Sequence, residues 1–203
     1  MKLSTKMVAA ASAARALAFA PTSYQARSST ALDASAGLFY STQTGNTETV
    51  AGYLADATGL EMKDIGDVKD SEIAELDTLI VGAPTWHTDS ETERSGTEWD
   101  SWLYDTLPNI DVKGKNVAVF GCGDQQSYSD YFCDAVGELY DLFEAAGANM
   151  VGLTSTDDYD HQGSKAERDG KFAGLLCDED NQYDLSEDRA KAWVEQLKGE
   201  GVL

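Results

Sequence analysis

The sequence predicts an α/β fold, a parallel β-sheet with helices on both faces, and three observations carry that prediction. Past residue 35, short apolar runs alternate with amphipathic segments, the pattern of buried strands joined by crossover helices. Two of those runs, residues 76–83 and 116–121, are largely apolar, as strands covered on both sides require. A hydroxyl-rich turn, Ser41-Thr42-Gln43-Thr44-Gly45-Asn46-Thr47, stands between the first apolar run and the first helical stripe.

The elements follow in order. Residues 36–40 read as a strand. Residues 47–58 read as a helix, with an apolar stripe at Val50, Ala51, Leu54 and Ala55. A weaker strand is predicted over 60–65 and a strong one over 76–83, ended by Pro84. Residues 98–107 are a helix candidate, 116–121 a second buried strand, and 131–146 a long helix closed by Gly147. A strand over 150–153 has a possible continuation at 172–176. A last helix over 186–197 takes Ser186 as its N-cap. No internal repeat and no domain linker is visible.

In open parallel sheets, ligands sit beyond the carboxyl ends of the strands. The loops placed there are 41–47, 83–97 and 121–131. The first contains no Lys or Arg, unlike a nucleoside triphosphatase loop with its Gly-Lys-Ser/Thr. Its hydroxyls, its glycine and the N–H groups of a helix start suit a single phosphomonoester held by neutral donors. The same residues also suit an N-cap whose hydroxyls serve only their own helix. The second loop opens Pro84-Thr85-Trp86-His87-Thr88, and the third reads Gly121-Cys122-Gly123-Asp124-Gln125-Gln126-Ser127-Tyr128. Each sets one large aromatic, Trp86 or Tyr128, in a polar loop with no core to fill. Beside a phosphate site, two such side chains can clamp a flat ring; capping of the sheet's apolar edge is the alternative for each taken alone.

Thr-Gln-Thr-Gly-Asn-Thr, Gly-Ala-Pro-Thr-Trp and Phe-Gly-x-Gly-Asp-x-x-x-Tyr, in this order and spacing, resemble flavodoxin over residues 36–203. The segment from Asp157 to Leu175 resembles the insertion that splits the last strand in long-chain members. The loop Asp89-Ser90-Glu91-Thr92-Glu93-Arg94-Ser95-Gly96-Thr97 resembles the red-algal form. The resemblance implies a flavodoxin-like three-layer doubly wound sandwich. Its five-stranded parallel sheet would run in the order 2-1-3-4-5, with the last strand split. It implies FMN as cofactor, with Thr42, Gln43, Thr44, Gly45, Asn46 and Thr47 on the phosphate. Trp86 and Tyr128 would sandwich the ring, beside Thr85. Asp124 and the backbone of Cys122 and Gly123 would meet the pyrimidine edge. The His87–Thr88 peptide falls where the family's backbone rearranges on one-electron reduction. His87 and Thr88 depart from the Asn and Ile common in cyanobacterial members. The implied role is electron transfer from photosystem I to ferredoxin–NADP reductase in place of ferredoxin, by a monomer that is not a stand-alone enzyme. An FMN-dependent NAD(P)H or quinone reductase is the rival, disfavoured because a stacked Tyr128 blocks hydride access.

The charge suits a body steered toward basic protein surfaces, and equally one kept charged only for solubility. The chain has 36 acidic and 15 basic side chains, net −21. Residues 1–33 hold Lys2, Lys6, Arg15 and Arg27 against Asp33 alone, which leaves 11 basic and 35 acidic groups beyond them. Such a body does not seek nucleic acid or anionic lipid unaided. Cys122, Cys133 and Cys177, odd in number and irregularly spaced, give no metal pattern and no disulfide framework. We therefore expect no metal site and read the cysteines as core fillers. The acidic run Asp178-Glu179-Asp180 reads as a solvated face near the flavin edge, without the spacing of a calcium loop.

The N-terminus reads as an address. Residues 1–18 carry Lys2 and Lys6, an Ala-rich apolar run and Ala16-Leu17-Ala18, the layout of a secretory signal too short to span a membrane. Residues 19–34, Ser/Thr-rich with Arg27, have the composition of a transit peptide. Together, with Phe19-Ala20-Pro21 at the junction, they resemble the two-part plastid presequence of algae with secondary plastids of red-algal origin. The expected location is the plastid stroma. The predicted FMN-binding domain is 35–203, with no membrane insertion.

Overall fold

The computed structural model describes residues 35–203; the predicted signal and transit segments lie outside them. The central sheet is built from β1 (Ala36–Tyr40), β2 (Met62–Asp64), β3 (Thr78–Pro84), β4 (Asn116–Cys122) and β5 (Asn149–Val151), in the order β2-β1-β3-β4-β5. Every pairing in it is parallel. The predicted order and the split last strand are both present. β5 pairs with Asn116 to Ala118 of β4, and a later strand pairs with Val119 to Cys122. Between the two halves, β6 (Thr154–Ser155), β7 (Glu167–Arg168) and β8 (Lys171–Phe172) form a small antiparallel sheet. The later strand is β9 (Gly174–Cys177).

Alternation along each strand feeds two cores. Phe39, Leu79, Val81, Val117 and Val119 face one; Leu38, Tyr40, Ile80, Ala118 and Phe120 face the other. The first core is closed by α3 (Glu98–Ser101) and α4 (Asp134–Ala145), where Trp99 and Trp102 meet edge to face at 5.2 Å and Trp102 stacks on Phe143. The second is closed by α1 (Asn46–Thr58) and α5 (Tyr183–Gly199) through Val50, Leu54, Trp193 and Val194. No helix among the described residues is long and apolar enough to cross a membrane.

Several boundaries differ from expectation, each for a local reason. β3 starts at Thr78, two residues later than expected, and Pro84, where it ends, still pairs with Cys122. The predicted continuation over 172–176 is two strands, since Phe172 belongs to the small sheet and only 174–177 rejoin β4. The helix expected from 131 begins at Asp134, behind Cys133 in the left-handed region at φ 54°. Residues 98–107 are helical, but the α-turn passes into a π-turn at Trp102–Thr106. Ser186 is not an N-cap: α5 starts three residues earlier and Ser186 lies buried inside it. The short α2 (Asp70–Ala74) was not predicted, because five residues carry too little periodicity.

Candidate functional site

The three predicted loops converge beyond the carboxyl ends of β1, β3 and β4 on a cavity of about 290 Å³. Of the predicted site residues, Thr44, Asn46, Thr85, Trp86, Thr88, Cys122, Gly123, Asp124 and Tyr128 line it. Thr42, Gln43, Gly45, Thr47 and His87 do not.

The first loop is shaped by its own side chains. Thr42 Oγ1 accepts from the Gly45 N–H at 3.0 Å. Gly45, at φ 94°, precedes α1 with no side chain to cap it. Its left-handed backbone is one that glycine adopts without strain. Helix α1 therefore begins with amide donors that no capping side chain satisfies. Thr49 uses its hydroxyl on the Gly45 carbonyl at 3.0 Å, so one hydroxyl of the region serves its own helix. Thr47 does not: it is fully buried, and its Oγ1 has no oxygen or nitrogen partner, only the weakly bonding Cys122 thiol nearby. It lies beside Cys122, which lines the cavity.

The second loop is held from outside. The Thr85 N–H bonds to the Cys122 carbonyl at 3.0 Å, and Thr85 Oγ1 accepts from the Ala135 N–H at the start of α4 at 3.0 Å. Trp86 and His87 both give their N–H to the Arg94 carbonyl, at 2.9 and 3.0 Å. His87 Nδ1 lies 2.8 Å from the Glu93 carbonyl; a carbonyl only accepts, so Nδ1 carries the proton. Gly96, at φ 63°, packs against the Trp86 ring; a Cβ there would come within 2.8 Å of it. Gln43 reaches across and donates to the Gly96 carbonyl, which ties the first loop to the second.

The third loop turns on Asp124. Its Oδ1 accepts from the Gln126 and Ser127 N–H groups at 2.9 and 2.8 Å and from Asn181 Nδ2 at 2.9 Å. Partial burial works against its charge, but the bonds from Ser127, Asn181 and Gln126 outweigh it and hold the carboxyl below the usual range. The turn sets Tyr128 out from the surface. Trp86 is 52% and Tyr128 53% exposed, so neither caps the apolar edge of the sheet.

The acidic run corrects one expectation. Asp178 is not on a solvated face: it is fully buried, and accepts from the N–H groups of Gln125, Asp180 and Asn181. It fastens the end of β9 to the Asp124 loop. Asp180, absent from the predicted site, lines the cavity and meets Asn46 Nδ2 at 3.4 Å. Burial first, and then like charge from their neighbours, raise the carboxyls of Glu179 and Asp180, opposed at Glu179 by the nearby Ser186 hydroxyl. All three cysteines are buried and unpaired, as expected of core fillers. Burial pushes the Cys122 thiol up, away from the reactive thiolate.

Sequence reasoning also missed Arg94 and Glu138. Both are buried, with Arg94 Nη1 at 3.6 Å from Glu138 Oε2. A signal existed, since Arg94 is the sole cation between Lys69 and Lys113.

A doubly wound sheet with a cation-free helix start and two half-exposed aromatics around one cavity defines a protein that binds a phosphorylated flat-ring ligand. Residues 38–193 match the family model described as flavodoxin. A flavodoxin of Nostoc sp. is 47% identical over 167 residues, 81% of this chain and 95% of that one. A flavodoxin of Haemophilus influenzae is 41% identical over 82% of this chain and 95% of its own. Among solved structures, Fusobacterium nucleatum flavodoxin bound to flavin mononucleotide aligns with a TM-score of 0.73 and 30% identity, over 81% of this chain and 97% of that one. The chain belongs to the flavodoxin family.

Proposed function

We propose that this chain binds FMN without a covalent bond and works as a low-potential one-electron carrier. The observation that carries the reading is the cavity between two half-exposed aromatics above an uncapped helix start. The residues present fit the cofactor. The unpartnered Thr47 hydroxyl and the amides opening α1 are donors awaiting an anion, and Trp86 and Tyr128 offer apolar faces to a ring.

When bound, FMN supplies a ring that takes up and gives back single electrons. The chain does the rest. Residues Thr42 to Thr47 hold the phosphate; Trp86 and Tyr128 keep water off the ring; Cys122, Gly123 and Asp124 present their backbone to its polar edge. Thr85 fixes the loop to α4. The His87–Thr88 peptide would stand at the ring, and the N–H of the preceding Trp86–His87 peptide is already committed to the Arg94 carbonyl. Asp124 and Asp180 border the cavity, with Asp178 and Glu179 next to them in the chain, and these carboxylates already repel one another, so further negative charge there is disfavoured. That environment makes the reduced protein a strong reductant.

The partners proposed are photosystem I as donor and ferredoxin–NADP reductase as acceptor, in the plastid stroma. The net charge of −21 supports brief docking on basic surfaces that weakens with salt. Stepwise photoreduction of the purified protein, followed by visible absorbance, tests the carrier. We expect a yellow protein that passes through a long-lived, long-wavelength one-electron form. Direct two-electron bleaching would favour an FMN-dependent reductase. A colourless protein that ignores added FMN would remove the reading.

A further inference from the structure

We infer that Glu138, near the start of α4, is the positioning residue for the Trp86–His87 segment. Its two carboxylate oxygens accept from consecutive backbone amides, Glu93 N at 2.8 Å and Arg94 N at 2.9 Å. Glu93 sits in the left-handed region at φ 57°. A left-handed residue beside a second amide turns both N–H groups to one side, a nest that receives an anion. Here the anion comes from the chain itself. The same Arg94 residue then gives its carbonyl to the Trp86 and His87 N–H groups, and the Glu93 carbonyl takes the His87 ring proton. One carboxylate therefore sets the backbone that sets the tryptophan.

The rival reading is a buried ion pair that happens to lie near the loop. Distances decide between them. Arg94 Nη1 stands 3.6 Å from Glu138, well beyond the 2.8 and 2.9 Å of the two amides, and a charge-assisted bond that directs geometry is short. The guanidinium supplies charge balance, and the amides receive the direction. The Tyr104 hydroxyl adds a third donor to Glu138 Oε1 at 2.5 Å. Burial keeps that phenol protonated and donating, helped by the bond to Glu138 and its charge. Residues 88–93 carry no regular structure, so nothing within the loop replaces this clamp.

Its consequence for the cofactor rests on the reading that Trp86 covers the ring; the clamp itself does not. The test uses the full protein, first without FMN, with amide hydrogen exchange resolved at Trp86 and His87 and at Leu79, Ile80 and Val81 of β3. Glu138→Gln replaces one acceptor oxygen with a donor that faces an N–H. Glu138→Asp keeps the charge that Arg94 needs but is one methylene too short to reach both amides, and so guards against a variant that fails to fold. We expect exchange at Trp86 and His87 to rise roughly tenfold or more in both variants, with β3 unchanged. Tyr104→Phe, which leaves both amide bonds intact, should leave Trp86 and His87 at the wild-type rate. With FMN added, we expect the variants to bind it about tenfold more weakly in one redox state than the other, a shift of about 59 mV for a one-electron couple.

Wild-type exchange at Trp86 and His87 in both Glu138 variants would overturn the proposal. So would acceleration there only in step with β3. Selective acceleration with unchanged affinity and potential would uphold the clamp and overturn its consequence for the cofactor. A wild-type protein that binds no FMN would sink the carrier reading instead, and the exchange rates would still judge the clamp.

Discussion

The loops after β1 and β3 border the same cavity and are held in different ways. The first has its turn shaped by near neighbours, Thr42 and Thr49 on Gly45, although Ser41 and Gln43 also reach Glu98 and Gly96. The second is held at its end by nearby Asp100, on the Ser95 and Gly96 amides, and further back by a carboxylate more than forty residues away, Glu138 on the amides of Glu93 and Arg94. A loop that closes on itself has its geometry written in seven letters. A loop that closes on a distant helix has it written in a pair of residues that no local pattern connects.

The largest effect should come from breaking the distant support outright. Glu138→Leu leaves Arg94 charged, 7% exposed and without its counterion. Removing one member of a buried pair costs about 3–5 kcal/mol, and two backbone amides lose their acceptor as well. We expect urea unfolding to report a loss of about 3 kcal/mol or more. A loss below about 1 kcal/mol, the range of exposed ion pairs, would mean that water replaces the carboxylate freely and that the second loop is not held from α4.

This contrast also sorts what the sequence disclosed. The alternating elements were legible because buried parallel strands leave local marks; the strand order and the split last strand came with the resemblance to flavodoxin. The aromatics were legible because Trp86 and Tyr128 stand in polar loops where no core would hold them. Asp178 was misread as a solvated acid, since nothing in Asp178-Glu179-Asp180 says that three amides from two segments converge on its first member. The start of α5 was misplaced for a related reason. Ser186 looks like a cap, yet the preceding turn is already helical and its hydroxyl lies buried. The Glu138 clamp was invisible because its partners meet only after α4 has docked.

A smaller effect should come from the self-contained loop, and it should separate binding from folding. Thr47→Val removes a buried hydroxyl that has no oxygen or nitrogen partner. Deleting an unsatisfied polar group costs the apo-protein nothing, and we expect its stability to hold within about 0.5 kcal/mol or rise. FMN binding should fall roughly tenfold, since a bond to a charged group is worth about 1.5–3 kcal/mol. Calorimetric titration alongside urea unfolding checks both. An apo-protein clearly destabilised by the change would mean that the hydroxyl serves the fold and that the first loop is no ready-made anion site.

The smallest effect should lie in the third loop, where local and distant support mix. Asp124 is held by Gln126 and Ser127 from its own turn and by Asn181 from the segment before α5. These bonds depress its carboxyl despite the opposing effect of burial. A depressed carboxyl contributes stability that is fully present above its unfolded value, about 3.9. That stability is lost as pH falls through the lower folded value. Asp124→Asn keeps the shape and one acceptor oxygen but cannot titrate. Unfolding measured from pH 6 down to pH 3 should therefore show the wild type's advantage over the variant shrinking only in the acid end of that range, with the two curves parallel above pH 5. Curves parallel throughout would place the work of the turn in the shape of the side chain rather than its charge. The third loop would then resemble the first, built from neutral bonds, rather than the second, built around an ion.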